Sequence, residues 1–483
     1  MSTNVTTMDL PLVSHDQGER VAIALEQIAA MMAGSAVTPA SFESLKLIVQ
    51  LGLGPSVLPV GTKIPVYKET SVTATPGASA TGITAATVDA DKFIEKMGES
   101  AEGEYEFTFN GSVWHLGDST VPHELSEYGI AVTGTPAAND TLIVVEHATV
   151  LNFVVRHHVK NGGYGSIRFK DKAKKNGIIL ETDDVPYYGV CFDSPEALYY
   201  AAEALPAGTY HFGKGTHDSA YAPETSYQFT LTQQVPAGGV IVLTWNYNTQ
   251  ITAGNIKTYP DVTSTTAIET CTITAGTGGT DLGDASLSMR DGNINHISCA
   301  RYGYNGWYQS FIRQFMNASG AKATYFAPQN KWDRKPAMAD STDGLLHGVD
   351  PAFVSIIAEC EVDTHMNSVT DATAAEITAG NAYRTTVDRM FLLSRSEHYG
   401  GKENNSDNGL PLDYYSANSD LASAGAGDDT NRIKLQGSTA RYYWERTPTP
   451  AYAYNARGVN PSGTISLNHA YIGYGCVPAC MIG

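Results

Sequence analysis

Near the start of the chain, hydrophobic residues recur every three to four positions, which is the spacing of an amphipathic helix. The apolar face of the first such segment consists of Val21, Leu25, Ile28 and Met32, and Gly34 ends it. A second segment follows, with Ser41 as its candidate N-cap and Gly54-Pro55 as its end. Residues 1–57 are therefore predicted to be helical. They either dock on their own chain or drive assembly, as a trimeric bundle or a fibre-anchoring plug.

From Leu58 onward the pattern changes to the alternation of apolar and polar residues that is typical of strands. Asn110-Gly111 is a hairpin signal, and residues 58–148 are predicted to be a small inserted β-module. In the next region a Pro-Ala-Gly turn twice precedes an alternating strand, in 205–216 and in 235–245. Residues 149–283 are therefore predicted to form a β-rich middle domain with a sandwich or jelly-roll layer.

After Gly283 the pattern changes again. Trp307, Phe311 and Phe315 have helical spacing, and Asp350-Pro351 has the residue types of an N-cap and a first helical turn. The rest is short strands and long loops rich in Gly, Asn and Asp, and such loops usually carry function. The predicted fold class is α+β and multidomain, with short N-terminal helices, β-sandwich-like middle modules and a separate C-terminal domain at 284–483.

The net charge of the chain limits the classes of molecule that it is expected to bind. The 483 residues include 31 Lys+Arg and 50 Asp+Glu, a formal net charge of -19. Such a surface repels phosphate backbones and anionic lipids, so we expect neither nucleic acid as a partner nor membrane insertion. The N-terminus lacks the basic and apolar regions of a signal peptide. An adhesin-like composition without an export signal predicts a virion protein that is assembled in the host cytoplasm.

Patterns that signal catalysis or metal binding are weak. His157-His158 should point to opposite faces of one strand, one side chain buried and the other exposed. Residues 361–365 place Glu, Asp and His on one strand face, but nothing nearby completes a metal site. The cysteines show no CxxC spacing, and Cys476 and Cys480 either pair with each other or, as we expect, pack separately in the core. The sequence predicts no enzyme, no metal and no cofactor.

The stretch from Tyr452 to Cys480 combines aromatic and small polar side chains with almost no charge. Its tyrosines are Tyr452, Tyr454, Tyr471 and Tyr474. Rigid aromatic anchors and adaptable Ser, Gly and Asn side chains on a fixed scaffold are the chemistry of antibody paratopes. The stretch is therefore predicted to bind a ligand by stacking and hydrogen bonds. The alternative is that Tyr and Asn merely occupy turns and edges of a β domain.

Several motifs between Asp291 and Gly483 follow one another in a specific order. They include NHISCARYGYNGWYQSFIRQFMNAS, GLLHGVDPAFVSIIAECEV, RIKLQGSTARYYWERTPTP and NARGVNPSGTISLNHAYIGYGCVPACMI. In these motifs the chain resembles gut-phage virion proteins that end in a C-type-lectin-like domain related to the formylglycine-generating-enzyme fold. The resemblance implies that residues 284–483 form a C-type-lectin-like receptor-binding domain, and a likeness of fold does not carry that enzyme's activity.

Some members of the family are tropism determinants that diversity-generating retroelements rewrite at adenine-rich codons. The resemblance implies that the exchangeable, ligand-binding positions are Tyr452, Tyr454, Asn455, Gly458, Asn460, Ser466, Leu467, Asn468, His469, Tyr471, Ile472 and Tyr474. It implies an invariant frame of Arg457, Val459, Gly463, Ala470 and Gly475. Trp444 and Arg446 alternate along the chain and are expected to anchor the domain from a core strand.

Together these observations predict a virion protein that determines host tropism by binding a host bacterial surface protein or glycan. The resemblance allows its ligand-binding positions to be hypervariable. The protein would also contact other virion proteins. The resemblance to phage receptor-binding proteins implies a homotrimer, in which weak heads gain avidity on a repetitive surface. The alternative is a structural decoration, such as a head fibre or baseplate component, without receptor binding. A third class, a glycan-acting enzyme, would need a clustered acid pair in a cleft.

Overall fold

The chain folds into many short strands with few helices. A computed structural model describes residues 42–74, 85–88, 103–109, 112–117, 130–133, 142–194, 199–213, 227–244, 255–284, 303–329, 333–365, 383–400, 411–416, 430–449 and 455–483. The helices are α1 Phe42–Gln50, α2 Gly54–Val57, α3 Phe311–Asn317, α4 Ala337–Ser341, α5 Pro351–Ile356, α6 Arg395–Tyr399 and α7 Asp413–Ser416. Among the described helices, none reaches the length and apolarity that a bilayer-spanning segment requires.

The strands are distributed along the whole described chain. The first half contains β1 Lys63–Ala74, β2 Ala85–Val88, β3 Gly103–Phe109, β4 Ser112–Gly117, β5 Ile130–Thr133, β6 Leu142–Val159, β7 Gly163–Tyr164, β8 Ile167–Phe169, β9 Gly177–Thr182, β10 Tyr187–Cys191, β11 Tyr199–Tyr200, β12 Gly208–Gly213, β13 Tyr227–Leu231 and β14 Val240–Thr244. The second half contains β15 Asn255–Tyr259, β16 Glu269–Thr272, β17 Thr274–Ala275, β18 Thr280–Asp284, β19 Cys360–His365, β20 Tyr383–Asp388, β21 Met390–Phe391, β22 Leu435–Gln436, β23 Thr439–Ala440, β24 Tyr443–Pro448, β25 Asn455–Val459, β26 Ile465–His469, β27 Gly473–Cys476 and β28 Ala479–Ile482.

Early and late strands pair with each other in two sheets that share one hydrophobic core. The larger sheet has the order β21-β28-β9-β6-β3-β4, with β1 also paired to β6. The smaller sheet has the order β10-β27-β24-β25-β26. The C-terminal strand β28 lies antiparallel to β9, with Met481 opposite Ile179, and β27 lies antiparallel to β10. Strands that precede residue 194 therefore complete the sheets of the C-terminal region.

This pairing divides the chain differently from the boundaries expected at 57/58 and 148/149. Helix α1 buries Phe42 against Phe353, with ring centroids 5.3 Å apart, so this second predicted helix docks on its own chain. Strand β6 crosses the other expected boundary without interruption. The reason is that β6 and β9 supply the pairing partners that β28 needs. The first predicted helix, with its expected role in assembly, lies outside the described residues.

Residues 199–284 form a smaller β unit with a core of its own. Two sheets, β11-β14-β15-β16 and β17-β13-β12-β18, enclose this core. Its members include Tyr210, Phe212, Phe229, Ile241 and Ile256. The two Pro-Ala-Gly segments lie side by side, because Leu205 and Val235 exchange backbone hydrogen bonds of 2.8 and 2.9 Å. The β-rich character expected for the middle region is thus confirmed, and within that region β9 belongs to the larger sheet while β11 to β18 form these two sheets.

Three local features agree with the sequence patterns. Strands β3 and β4 pair with Phe109 opposite Ser112, as the Asn110-Gly111 signal predicts. The aromatic residues at helical spacing in 307–315 are buried in the large core. The side chain of Asp350 accepts a hydrogen bond of 2.7 Å from the backbone N–H of Ala352 and caps α5. Signals that act over a few residues were therefore sufficient to locate these elements.

Candidate functional site

One face of the five-stranded sheet carries a ladder of aromatic rings. The rings of Trp444 and Tyr474 stack with centroids 4.5 Å apart, and Tyr442 stacks on the other side of Tyr474 at 4.9 Å. Trp444 is fully buried, and its indole N–H donates to the carbonyl of Val190 at 2.9 Å. Tyr442 is 36% exposed. The ladder therefore leads from the hydrophobic core to the surface, and its outermost ring is held by the rings below it.

A β-bulge beside the ladder presents a further tyrosine. The register of β10 against β27 shifts between Tyr188 and Val190, and Gly189 adopts the left-handed conformation with φ 86°. Bulges of this kind turn side chains in a new direction and are common near functional sites. Tyr188 is 38% exposed, and the guanidinium of Arg441 lies 4.5 Å from the centre of its ring. We use the name tyrosine face for the group Tyr188, Arg441, Tyr442, Ser466, Asn468 and Tyr474, in which Arg441 contacts Tyr188 while Tyr442, Ser466 and Asn468 contact Tyr474.

Three of the predicted ligand-binding residues belong to the tyrosine face. The side-chain amide of Asn468 donates to the hydroxyl of Tyr474 at 2.8 Å, and Ser466 lies beside the same hydroxyl. Tyr474 itself is only 7% exposed, and burial raises the pKa of its hydroxyl. The structure thus brings together two strands of the predicted stretch. Ser466 and Asn468 form the rim, while Tyr474 serves mainly as support.

Other predicted positions lie away from that face. Leu467 alternates with Ser466 and Asn468 and is 43% exposed. The ring centroids of His469 and Tyr471 are 6.1 Å apart, and the ring planes are nearly parallel. Ile472 is half-buried and packs against the large core. These side chains provide a second, smaller group of partly accessible positions around the end of β26.

Three predicted exchangeable residues are structural in this fold. Asn455 is buried. Gly458 has no room for a side chain, because a β-carbon there would lie 2.5 Å from the carbonyl oxygen of Tyr443. The side chain of Asn460 accepts hydrogen bonds from the backbone N–H groups of Ser462 and Thr464, at 2.9 and 3.0 Å, and so builds the β25–β26 turn. In this fold the three residues shape the sheet and its turn, and their role as ligand contacts stays a prediction. Tyr452 and Tyr454 lie outside the described residues.

Sequence reasoning missed Tyr188, Arg441 and Tyr442. Tyr188 comes from a segment about 250 residues before the C-terminal strands, and only the β10–β27 pairing brings it to this sheet. Tyr442 precedes the Trp444-x-Arg446 pattern by two residues, so strand alternation already placed it on the face of Trp444. That signal was present in the sequence. The signal for Tyr188 was not, because it depends on long-range pairing.

A cluster of buried charges supports the other side of the sheet. Glu181 is its centre, and one carboxylate oxygen accepts from Arg156 at 2.9 Å, from Lys434 at 3.0 Å and from the hydroxyl of Tyr415. The second oxygen lies 3.1 Å from Nε2 of His398, whose Nδ1 lies 2.7 Å from Glu445. We call the set Arg156, Glu181, His398, Tyr415, Lys434 and Glu445 the buried charge cluster.

The electrostatics of the buried charge cluster follow from these contacts. Burial acts to raise the pKa of Glu181, but Lys434, Arg156 and His398 outweigh it and hold that pKa well below its ordinary range. Burial and the nearby Arg156 lower the pKa of Lys434 to about 8, although Glu181 opposes the shift. Burial also acts to lower the pKa of His398, but its bonds to Glu181 and Glu445 raise it overall. Both ring nitrogens face carboxylates, and this arrangement favours the protonated imidazole.

The buried charge cluster is connected to the turn between β25 and β26. A guanidinium N–H of Arg432 donates to the carbonyl of Gly463 at 2.9 Å, and the hydroxyl of Tyr399 donates to the same oxygen at 2.8 Å. Arg432 also lies over the ring of Tyr399 and donates to the backbone carbonyl of His398. Gly463, an expected frame residue, has φ 81°. The position of the β26 hairpin is thus fixed from inside the protein.

The free energy of unfolding is expected to fall as the pH rises above about 6.5. A histidine with a raised pKa binds its proton more tightly in the folded state, so its contribution is complete below the unfolded pKa near 6.5. The contribution is lost as the pH rises through the folded pKa, by at most about 1.4 kcal/mol per pH unit for one proton. Lys434 acts in the opposite direction, but only above its pKa of about 8. Urea titrations between pH 6 and 8 measure the slope.

The matched variant for this measurement is His398→Gln, which removes the titrating ring from the buried charge cluster. Its unfolding free energy should depend less on pH over the same interval, whatever its absolute stability. An equally steep decline in the variant would show that another group is responsible.

Of the candidate metal-binding positions, the two carboxylates are engaged in other contacts and the histidine is buried. Glu361 and Asp363 form ion pairs with Arg168. His365 is buried, which lowers its pKa to about 4. Within the described ranges, no three His, Cys, Asp or Glu side chains lie close enough together to hold a metal ion.

The histidine pair differs from expectation. His157 and His158 are both half-buried, because each is covered by a different element. His157 lies 3.0 Å from Asp413, and Nε2 of His158 lies 2.8 Å from the carbonyl of Leu58. Cys476 and Cys480 are separate buried thiols, as predicted.

Comparison with known proteins gives one match. Residues 285–483 match the family model of a domain of unknown function, DUF6273. No curated protein and no solved structure matches the chain. The matched segment begins directly after β18 and includes β24 to β28, so it contains most of the tyrosine face but not Tyr188. The segment that carries the aromatic ladder and the β26 hairpin is therefore similar to that domain.

Proposed function

We propose that the protein is a phage virion protein that binds a receptor on the surface of its bacterial host. Receptor binding is assigned to the tyrosine face, which residues 284–483 form together with Tyr188 of β10, and for residues 284–483 we propose a C-type-lectin-like fold. The short helices of this region and its small sheet, which is antiparallel except for the parallel pair β24 and β27, are compatible with that fold. The proposal includes a homotrimer, in which several weak heads act together on a repetitive surface.

The tyrosine face is the observation that carries the proposal. Tyr188 and Tyr442 are large rings that remain more than one third exposed, and the small polar side chains of Ser466 and Asn468 lie at the hydroxyl of Tyr474, on which Tyr442 stacks. Aromatic anchors with adaptable polar neighbours are the usual composition of binding surfaces. Below them, Trp444 and the buried charge cluster hold the sheet in place. A rigid frame of this kind tolerates exchange of its surface residues, since exposed substitutions usually change stability little.

The frame also limits which positions a diversification mechanism would exchange. Among the described residues, the accessible candidates are Ser466, Leu467, Asn468, His469, Tyr471 and Ile472. The frame includes Asn455, which is buried, Gly458, which has no room for a side chain, and Asn460, which builds the β25–β26 turn. We therefore propose that variation, where it occurs, is concentrated on β26 and the turn that follows it.

Cell binding tests the proposal. The Tyr188→Ser, Tyr442→Ser double variant is expected to bind host cells at least tenfold more weakly than the wild type, because truncating an aromatic hot-spot residue costs about 2 kcal/mol or more. Its melting temperature should change little, since both rings are partly exposed. Fluorescently labelled full-length protein and flow cytometry on candidate host cells provide the measurement.

The matched control is the Leu53→Ser, Val387→Ser double variant, which removes two comparably exposed apolar side chains outside the tyrosine face. It should bind as the wild type does. If the wild type and both variants bind equally, the tyrosine face takes no part in receptor recognition. No binding of the wild type to any host cell would favour the alternative of a structural virion decoration.

A further inference from the structure

Strand β26 forms one edge of the five-stranded sheet, and β25 is its only neighbour among the described strands. The hydrogen bonds of the hairpin show which main-chain groups point away from β25. The N–H of Asn460 donates to the carbonyl of Thr464 at 2.9 Å, so the main-chain groups of Thr464 face β25. Main-chain groups of an antiparallel strand point alternately to its two sides. The N–H and C=O groups of Ile465, Leu467 and His469 therefore point outwards, away from the sheet.

The outward groups of Ile465 and Leu467 are open, whereas those of His469 are not. The N–H of His469 donates to Oδ1 of Asn468 at 2.8 Å, and its carbonyl accepts from the N–H of Ile472 at 2.9 Å. Within the described ranges, the main-chain groups of Ile465 and Leu467 have no hydrogen-bond partner on the outward side. Two donors and two acceptors therefore lie open along this edge, at the spacing of a strand.

Strand β26 also lacks the features that usually protect an edge strand. Such edges carry Lys or Pro, or a β-bulge twists them away from a partner. The residues Ile465–His469 include neither Lys nor Pro, and their register against β25 has no shift. The opposite edge of the same sheet, β10, has a bulge at Gly189. Of these two edges, β26 is therefore the regular one.

The pattern of open groups fits an extended polypeptide. Donors and acceptors that alternate along a strand match the main chain of another strand, which is how many proteins bind extended peptides. A second copy of β26 fits less well, because two chains that each carry a net charge of -19 repel each other. Antiparallel pairing of β26 with its own copy would also need a two-fold axis, which the proposed homotrimer lacks.

We infer that β26 binds an extended segment of a receptor protein, which adds a strand to the five-stranded sheet. The inference rests on the proposed receptor-binding function and specifies the receptor as a polypeptide. Main-chain hydrogen bonds do not depend on side-chain identity, so they persist when the side chains of β26 are exchanged. Leu467 is 43% exposed and favours an apolar residue opposite it. Ser466 and Asn468 lie on the other face, at the hydroxyl of Tyr474, and favour polar neighbours.

Removal of one outward N–H tests the inference. Leu467→Pro deletes that donor and places a ring where the partner strand must approach. Proline is tolerated at edge positions whose N–H faces solvent, so the melting temperature should change little. Leu467→Val keeps the donor and is the matched control. Flow cytometry with labelled full-length protein should show host-cell binding weakened by about tenfold or more in Leu467→Pro, because the carbonyl opposite it loses its donor, and nearly unchanged in Leu467→Val.

A library of random displayed peptides makes the test independent of the host receptor. Peptides selected on the immobilised full-length protein should bind Leu467→Val but not Leu467→Pro. In the wild type, a bound peptide should slow hydrogen exchange at the amides of Ile465 and Leu467. This readout remains decisive if Leu467→Pro does not fold.

The inference is overturned if no selected peptide protects these amides, or if cell binding survives protease and is lost after periodate, which oxidises glycans. If folded Leu467→Pro binds host cells as the wild type does while Tyr188→Ser, Tyr442→Ser does not, the inference fails and the receptor-binding function stands. If the wild type binds peptides through β26 but binds no host cell, the receptor-binding function fails and the strand-docking edge stands. A changed number of subunits in Leu467→Pro, measured by light scattering, would identify a second copy as the occupant and contradict the inference.

Discussion

Replacing Glu181 by alanine is expected to lower the free energy of unfolding by about 3–5 kcal/mol. Glu181 is completely buried and is the shared partner of Arg156, Lys434 and His398. Its removal leaves positive charges in the core without their counter-charge, which costs far more than the loss of an exposed ion pair. Urea unfolding monitored by tryptophan fluorescence measures the change. Glu181→Gln keeps nearly the same shape, but it removes the charge and replaces one acceptor oxygen with an N–H donor, so it should also be strongly destabilising.

A surface carboxylate provides the comparison. Glu361 forms ion pairs with Arg168 and Lys172 at the protein surface, and Glu361→Ala should change the stability much less than Glu181→Ala. If the two alanine variants lose similar amounts, burial is not what makes the contacts of Glu181 important. A Glu181→Ala variant as stable as the wild type would mean that the buried cations find other partners or lose their protons.

The buried charge cluster shows which part of the fold the sequence could not predict. Its members come from β6, β9, α6, α7, β24 and the segment before β22, and none lies in a motif with the others. Local signals such as the Asp350-Pro351 cap identified short elements, because a cap acts within one helical turn. The pairing of β28 with β9 depends on packing between residues about 300 positions apart. No periodicity in either strand specifies that partner.

The sequence likewise predicted only part of the candidate site. The composition of the C-terminal stretch pointed to β26 and β27, and two residues of β26, Ser466 and Asn468, do form the rim of the tyrosine face. The sequence did not distinguish an exposed asparagine from one that builds a turn, as Asn460 does. That distinction depends on hydrogen-bond geometry, which residue type alone does not determine. Tyr188 could be placed only by the bulge and the strand pairing that present it.

Replacing Trp444 by alanine is expected to lower the free energy of unfolding by about 3–5 kcal/mol and also to abolish the proposed receptor binding. Trp444 is 1% exposed, stacks on Tyr474 and contacts Phe192 edge-on at 5.9 Å. The cavity that it leaves would remove the support of Tyr474 and therefore of Tyr442. Urea unfolding measures the first effect, and cell binding well below the unfolding transition measures the second.

Trp444→Phe separates stacking from hydrogen bonding at the same position. Phenylalanine retains an aromatic ring under Tyr474 but loses the N–H donor, so the carbonyl of Val190 loses its 2.9 Å partner at a cost of about 1–3 kcal/mol. If Trp444 acts by supporting the aromatic ladder, this variant should be destabilised and still bind cells. If the folded Trp444→Phe protein does not bind cells, the hydrogen bond to Val190 is needed for binding. That bond joins the aromatic ladder to β10, the strand that presents Tyr188.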